Sequence, residues 1–225
     1  TIPVSSVGVI GAGTMGGGIS MCFVNAGIPV TIVETSAEAL ERGLAVVRSN
    51  YERSARNGRF PMEDVDRRMG MITPTTSLED LADVDLVVEA VFERMDIKKD
   101  VFASLDRICK PGAILATNTS FLNIDEIASA TSRPGSVVGM HFFSPANVMR
   151  LLEVVRAERT EPEVINTAMQ IGKKIGKIAA LVRVCHGFVG NRMLAARGRE
   201  AQELLLDGVM PWEIDKALFE FGFAM

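Results

Sequence analysis

VGVIGAGTMGGGISMCFVNAGIPVTIVE, residues 7–34, decides the fold. A short apolar run, Val7 to Ile10, ends in Gly11, Gly13 and Gly16, spaced Gly-x-Gly-x-x-Gly. Small apolar residues follow as far as Gly27, and a second apolar run, Val30 to Val33, stops at Glu34. Strand, glycine turn, helix, strand and terminal carboxylate is the order of a dinucleotide-binding unit. Gly11 permits the tight turn, Gly13 lets the backbone approach a pyrophosphate, and Gly16 lets the helix press on the strands. Thr14 and Met15, set between the last two glycines, are further cofactor-contacting positions, because the unpaired N–H groups at the helix start face the phosphates. The same glycines could form a turn that binds nothing, but the carboxylate 23 residues after Gly11 favours the dinucleotide. Glu34 can accept both ribose hydroxyls of NAD and would repel the 2′-phosphate of NADP. No Arg follows it directly, so the predicted cofactor is NAD.

Composition sets the outer bounds. With 225 residues, 48% of them apolar and 23% charged, the chain is globular and able to bury a sizeable core. A net charge of -4 and the lack of a long basic run argue against a nucleic-acid partner. Three cysteines, odd in number and set among apolar residues, read as reduced core thiols of an intracellular protein. No apolar run reaches the length of a membrane span, so no membrane partner is expected. The start at Thr1 and the stop just after an amphipathic segment suggest a piece of a longer protein.

Beyond Glu34 the pattern alternates. Thr35-x-x-Glu38 predicts a capping box opening a long helix, with Leu40, Leu44, Val47 and Tyr51 as its buried stripe. Arginines follow along its other side and tail, from Arg42 through Arg53 and Arg56 to Arg59. A short helix over 62–69 and a strand over 71–75 come next. Residues 85–91, 113–117, 137–143, 151–155 and 178–184 read as further strands, and 96–108, 124–130 and 162–177 as helices. This alternation predicts an α/β fold: a doubly wound, Rossmann-type, mostly parallel sheet. From Gly187 onward only helical patterns remain, over 188–206 and 211–221. The expected domains are therefore 1–185, with a helical extension about 36–70, and 186–225, the truncated start of an all-helical C-terminal domain.

Only two histidines occur. His141 stands near the end of a strand, and Glu153 lies in the next, 12 residues on. Strand, loop and strand can bring the carboxylate back to the imidazole. A histidine so held is suited to take a hydroxyl proton while the carbon loses hydride. Spacing alone leaves a buried structural histidine equally open. His186 has no such partner spacing. With two histidines and no Cys-x-x-Cys, no metal site is expected.

The stretches GAGTMG, VVEAVFE, TNTS, HFFSPANVMRLLEVV and GFVGNRML together resemble the L-3-hydroxyacyl-CoA dehydrogenase family. The similarity runs from Val7 to the end of the chain and is strongest to the dehydrogenase part of multifunctional fatty-acid β-oxidation enzymes. It implies oxidation of (S)-3-hydroxyacyl-CoA to 3-oxoacyl-CoA with NAD. By resemblance, His141 is the catalytic base and Glu153 its orienting partner. Ser120 and Asn191 would meet the substrate's 3-oxygen, Ser120 would also contact the cofactor, and Ser144 would lie by the nicotinamide. Glu93 and Lys98 would line the cofactor, and Arg53 and Arg56 suit the phosphates of coenzyme A.

Without the family, Ser120 and Asn191 read equally as helix caps, Glu93 and Lys98 as a solvated pair, and the arginines as a solvated helix face. Rival readings are a dehydrogenase of a free hydroxy acid and an NAD-binding module with little catalysis. The implied partners are an acyl-CoA substrate and, in the intact protein, a second copy in a homodimer or a fused hydratase region. The expected location is cytoplasmic, with a peroxisomal one as the alternative.

Overall fold

The structure, a computed structural model, describes residues 1–223; residues 224 and 225 of the second expected domain lie outside it. The chain divides into two compact units, Thr1–Cys185 and His186–Met225.

The first unit is built on eight strands: β1 (Val7–Ile10), β2 (Val30–Val33), β3 (Ile72–Thr75), β4 (Leu86–Glu89), β5 (Ile114–Thr117), β6 (Val137–Phe142), β7 (Leu151–Arg156) and β8 (Ile178–Arg183). They form one sheet in the order β3-β2-β1-β4-β5-β6-β7-β8. All neighbours are parallel except β6 and β7, which are antiparallel. This is the doubly wound α/β class expected from the sequence. The order reverses between β1 and β4, and in open sheets of this kind ligands bind beyond the strand ends at that reversal.

Strand residues alternate between the two faces. Val7, Val9, Leu86, Val88, Ile114, Ala116, Val138 and Met140 join one apolar cluster with residues of helices α1 (Thr14–Asn25), α2 (Ala37–Arg56) and α6 (Pro162–Lys174). None of these eight is more than 1% exposed, and burying one such side chain is worth about 1.5–3 kcal/mol. The intervening residues Val87, Leu115 and Val137 point the other way, toward the side of α4 (Met95–Ile108) and α5 (Ile124–Ala128). That second face also carries Glu89, Thr117, His141 and Glu153, all 3% exposed or less. The buried part of one sheet face is thus apolar, while the other carries buried polar side chains at Glu89, Thr117, His141 and Glu153.

The remaining helix of this unit is α3 (Asp64–Met69). Two local expectations needed revision. The cap of α2 is Ser36, whose hydroxyl accepts the Ala39 N–H at 3.2 Å; the Thr35 hydroxyl is bonded to Glu34 instead. The buried stripe of α2 is Leu40, Gly43, Val47 and Tyr51, with Leu44 half-buried. Gly43 is there because a Cβ would stand 2.2 Å from the Ala12 carbonyl oxygen, so α2 rests directly on the glycine turn. In the second unit α7 (Gly190–Leu206) and α8 (Pro211–Phe221) follow one another. Pro211 opens α8, and Gly222, at φ 107°, closes it in the left-handed region.

Candidate active site

The glycine turn has the geometry a dinucleotide needs. Gly11 has φ 99°, and a Cβ on it would lie 2.8 Å from the Ala90 carbonyl oxygen. On Gly16 a Cβ would lie 1.8 Å from the Gly11 oxygen, so the start of α1 is pressed onto the turn. Around Gly13 nothing stands within 4 Å of where a Cβ would be. Gly13 is also the N-cap of α1, with no side-chain bond to the helix and no acidic residue in the first turn. Exposed Thr14 and half-buried Met15 follow it. An anion facing this end meets N–H groups and a positive dipole end, with no acidic side chain in the first turn of α1.

Glu34, one residue beyond β2, closes the outer side. Its Oε2 accepts the Ala12 N–H at 2.9 Å, and its Oε1 accepts the Thr35 N–H and hydroxyl at 2.7 and 3.0 Å. Burial pushes its pKa up, but these three donors outweigh that and hold it below the usual carboxylate value. A carboxylate kept ionised beside the turn fits the ribose diol of NAD.

On the polar sheet face, His141 and Glu153 are direct cross-strand partners in the β6–β7 register. Their side chains meet at 2.8 Å, Nδ1 to Oε2, and the His141 ring packs against Phe143 with centroids 4.4 Å apart. Two residues toward the amino end of β6 from His141, Gly139 is level with Thr117 of β5, and Thr117 with Glu89 of β4. Glycine is required there, since a Cβ on Gly139 would stand 2.4 Å from Ile124 and 2.6 Å from Val155.

Ser120 lies just past β5 in a turn organised by Glu93. One oxygen of Glu93, Oε1, accepts the Thr119 hydroxyl at 2.6 Å and the N–H groups of Ser120 and Phe121 at 2.8 and 3.0 Å. Burial raises the Glu93 pKa, but the Thr119 bond, the Lys98 charge and the two amides together outweigh it, so the net shift is downward. Lys98 is no solvated partner. It is 1% exposed, sits 2.6 Å from the wholly buried Glu89, and is 3.5 Å from Glu93. Asn118, beside Ser120, reaches across to accept the Phe142 N–H at 2.8 Å, tying the end of β5 to the strand of His141. Sequence reading passed over Glu89 and Asn118. A lone acid ending an otherwise apolar strand was the signal for the first, and the second had none.

Ser144 is exposed two residues beyond β6, and the cap of α5 is Asn123 rather than Ser120. Asn191 lies in the first turn of α7, in the second unit. Arg53 and Arg56 are exposed at the end of α2, where Arg53 bonds Asn50 at 2.7 Å and Arg56 pairs with Glu52 at 3.9 Å. Cys22 and Cys109 are buried thiols, and burial pushes both up in pKa. Among the described residues no cluster of three metal-ligating side chains occurs, and no helix is long and apolar enough to cross a membrane.

A reversed-order sheet, an open glycine turn and a terminal acid define a dinucleotide-binding protein of the Rossmann class. The sequence model described as "3-hydroxyacyl-CoA dehydrogenase, NAD binding domain" matches residues 6–185, and that described as "3-hydroxyacyl-CoA dehydrogenase, C-terminal domain" matches residues 187–225. The chain therefore belongs to the 3-hydroxyacyl-CoA dehydrogenase family, and it carries that family's NAD-binding domain. It is 51% identical over 224 residues to the peroxisomal bifunctional enzyme of Cavia porcellus, covering 99% of this chain and 31% of that one. To the 3-hydroxybutyryl-CoA dehydrogenase of Clostridioides difficile it is 41% identical over 211 residues, 93% of this chain and 75% of the relative. The crystal structure of the (S)-3-hydroxybutyryl-CoA dehydrogenase from Ralstonia eutropha superposes with a TM-score of 0.93 at 34% identity, over 96% of this chain and 77% of the other. The chain thus spans about a third of the length of the bifunctional relative.

Proposed function

We propose that this chain is the dehydrogenase part of a fatty-acid β-oxidation enzyme, oxidising (S)-3-hydroxyacyl-CoA to 3-oxoacyl-CoA. The observation that carries the reading is the buried His141–Glu153 pair on the polar sheet face, two residues along β6 from the row of Glu89 and Thr117. NAD, when bound, supplies the acceptor for the hydride leaving C3. Gly11, Gly13 and Gly16, with Thr14 and Met15, hold its pyrophosphate at the start of α1, and Glu34 holds the ribose diol. His141 takes the proton of the 3-hydroxyl. Glu153 fixes the imidazole in one orientation and stabilises its cationic form once the proton has arrived. Ser120, set by Glu93, hydrogen-bonds the 3-oxygen, and Asn191 is a further substrate-binding residue. Ser144 flanks the nicotinamide, Glu93 and Lys98 line the cofactor side, and Arg53 with Arg56 binds the phosphates of coenzyme A.

In this reading residues 1–185 are the NAD-binding domain, with 36–70 its helical extension, and 186–225 begin the helical domain. The name of the peroxisomal relative favours a peroxisomal location over the cytoplasmic one expected from sequence. A fused hydratase or a second copy is the partner to look for in the intact protein.

The deciding assay compares NADH formation from (S)-3-hydroxybutyryl-CoA and from free 3-hydroxybutyrate, each with the wild-type chain and with His141→Gln. Turnover confined to the thioester and lost in the variant supports the proposal. Preference for the free acid would overturn the substrate class, and an unaffected variant would overturn the base.

A further inference from the structure

Glu89 takes no part in the chemistry proposed above, yet it is the most enclosed carboxylate of the site. It ends β4, is 0% exposed, and is held from three directions. Oε1 accepts the Val91 N–H at 2.8 Å and the Lys98 ammonium at 2.6 Å, while Oε2 accepts the Thr117 hydroxyl at 2.8 Å. Lys98 rises from the first turns of α4 and is itself 1% exposed. Its ammonium is shared, with the second carboxylate, Glu93, at 3.5 Å through Oε2. The other oxygen of Glu93 carries the Thr119–Phe121 turn. A continuous path of polar contacts thus runs Thr117–Glu89–Lys98–Glu93–Ser120.

We propose that Glu89 is a positioning residue: through Lys98 it orients Glu93 and so sets the turn that presents Ser120. An ammonium taken out of water needs a fixed counter-charge. Glu89 provides it at the shorter distance, pinned by a backbone amide and a threonine, which fixes Nζ in space. Lys98 then engages only Oε2 of Glu93, leaving Oε1 to accept all three donors of the turn. The inner carboxylate acts as anchor and the outer one as holder, with the lysine as a rigid spacer between them. This rests on the proposed role of Ser120 only for its effect on turnover. The order of the turn itself is a property of the protein alone.

The test uses the full chain with Glu89→Gln, Lys98→Met, the double variant, and Thr117→Val. Amide hydrogen exchange at Ser120 and Phe121 is read without cofactor or substrate, alongside exchange at Val87 and Leu115, thermal midpoint and kcat. Glu89→Gln should speed exchange at Ser120 and Phe121 on the order of tenfold while Val87 and Leu115 stay protected, with a comparable fall in kcat. Glu89→Gln/Lys98→Met removes both buried charges together. Its thermal midpoint should recover toward wild type while the turn stays loose and kcat stays low. Recovery of midpoint, protection and kcat together would reduce Glu89 to charge balance and overturn the proposal. So would unchanged protection of the turn in Glu89→Gln. Should the charge variants fail to fold, Thr117→Val keeps every charge and removes one support of Glu89. About threefold faster exchange confined to the turn is then expected, and unaltered exchange there overturns the proposal. If the thioester proves not to be a substrate, the exchange results still decide the matter.

Discussion

His141 Nδ1 and Glu153 Oε2 lie 2.8 Å apart because the two residues face each other in the one antiparallel register of the sheet. Both are nearly inaccessible, at 3% and 1% exposure. In the proposed reaction Nδ1 stays with the carboxylate, and proton exchange with the substrate is assigned to Nε2. Replacing His141 by Gln should lower kcat by about 10² to 10⁴-fold, the usual worth of a positioned acid–base group. Glu153→Gln keeps the shape but not the charge that stabilises the imidazolium, and a loss of about 10²-fold or more is expected. NADH formation followed at saturating substrate checks both. A Glu153→Gln enzyme of normal rate would make the pair purely structural.

Glu34 is already committed to three donors, the Ala12 amide and the Thr35 amide and hydroxyl, and is held ionised by them. Glu34→Ala removes the carboxylate proposed to accept the ribose diol and to repel a 2′-phosphate. Preference for NAD over NADP, measured as the ratio of kcat/KM values, should fall about 10- to 100-fold. A ratio unmoved by the substitution would take cofactor choice away from this residue.

Two glycines of the turn should respond in opposite ways. A methyl group at Gly16 would collide with the Gly11 oxygen at 1.8 Å, whereas at Gly13 it enters open space. Gly16→Ala should therefore destabilise the fold by about 3 kcal/mol or more through forced separation of α1 from the turn. Gly13→Ala should fold with a loss of only about 1 kcal/mol, the difference between Gly and Ala as a cap. Its defect should appear in NAD binding, weakened on the order of tenfold or more because the methyl group occupies the approach of the pyrophosphate. Urea unfolding and NAD titration of the two variants separate these effects. Equal loss of stability in both would contradict the geometry.

Most of the strands and helices were legible because the sheet is mostly parallel and its central strands are covered on both faces, which prints near-continuous apolar runs separated by glycine and proline. Helix ends were less legible. Thr35 and Ser36 are both competent caps, and the choice fell to Ser36 because the Glu34 carboxylate already held the Thr35 hydroxyl. The meeting of His141 with Glu153 followed from two strands and a short loop. Lys98 was misleading in the other direction: a lysine near an exposed helix start reads as solvated, and only a partner from a neighbouring strand, Glu89, draws it inside. Such long-range pairing leaves no periodic trace in sequence. Gly43 is similar, since its need arises from Ala12 on another element.

At the opposite end of the central strands, Asp85 makes a second polar anchor whose effect is on stability rather than chemistry. Its Oδ2 accepts the Ser5 N–H and hydroxyl, both at 2.7 Å, and the Ser6 N–H at 3.1 Å; its Oδ1 meets Lys110 at 2.7 Å. Burial raises its pKa, but the Lys110 and Ser5–Ser6 donors outweigh this and hold the carboxyl far below its ordinary value. A depressed folded-state pKa means stability that is fully present above the unfolded value of about 3.9 and is lost as the pH falls toward the folded one. Asp85→Asn should therefore destabilise the protein by roughly 1–3 kcal/mol at neutral pH, the range for hydrogen bonds to a charged group. The gap to wild type should close below a pH of about 4, as the unsubstituted carboxyl loses the same advantage. Urea unfolding of both proteins across that interval checks the sign, and curves that stay parallel into acid would refute it. Ser5 and Ser6 lead into β1 and Asp85 into β4, so the substitution loosens the amino ends of the two strands that flank the reversal. Their carboxyl ends carry the glycine turn and Glu89, so NAD affinity of the folded variant should remain at the wild-type value.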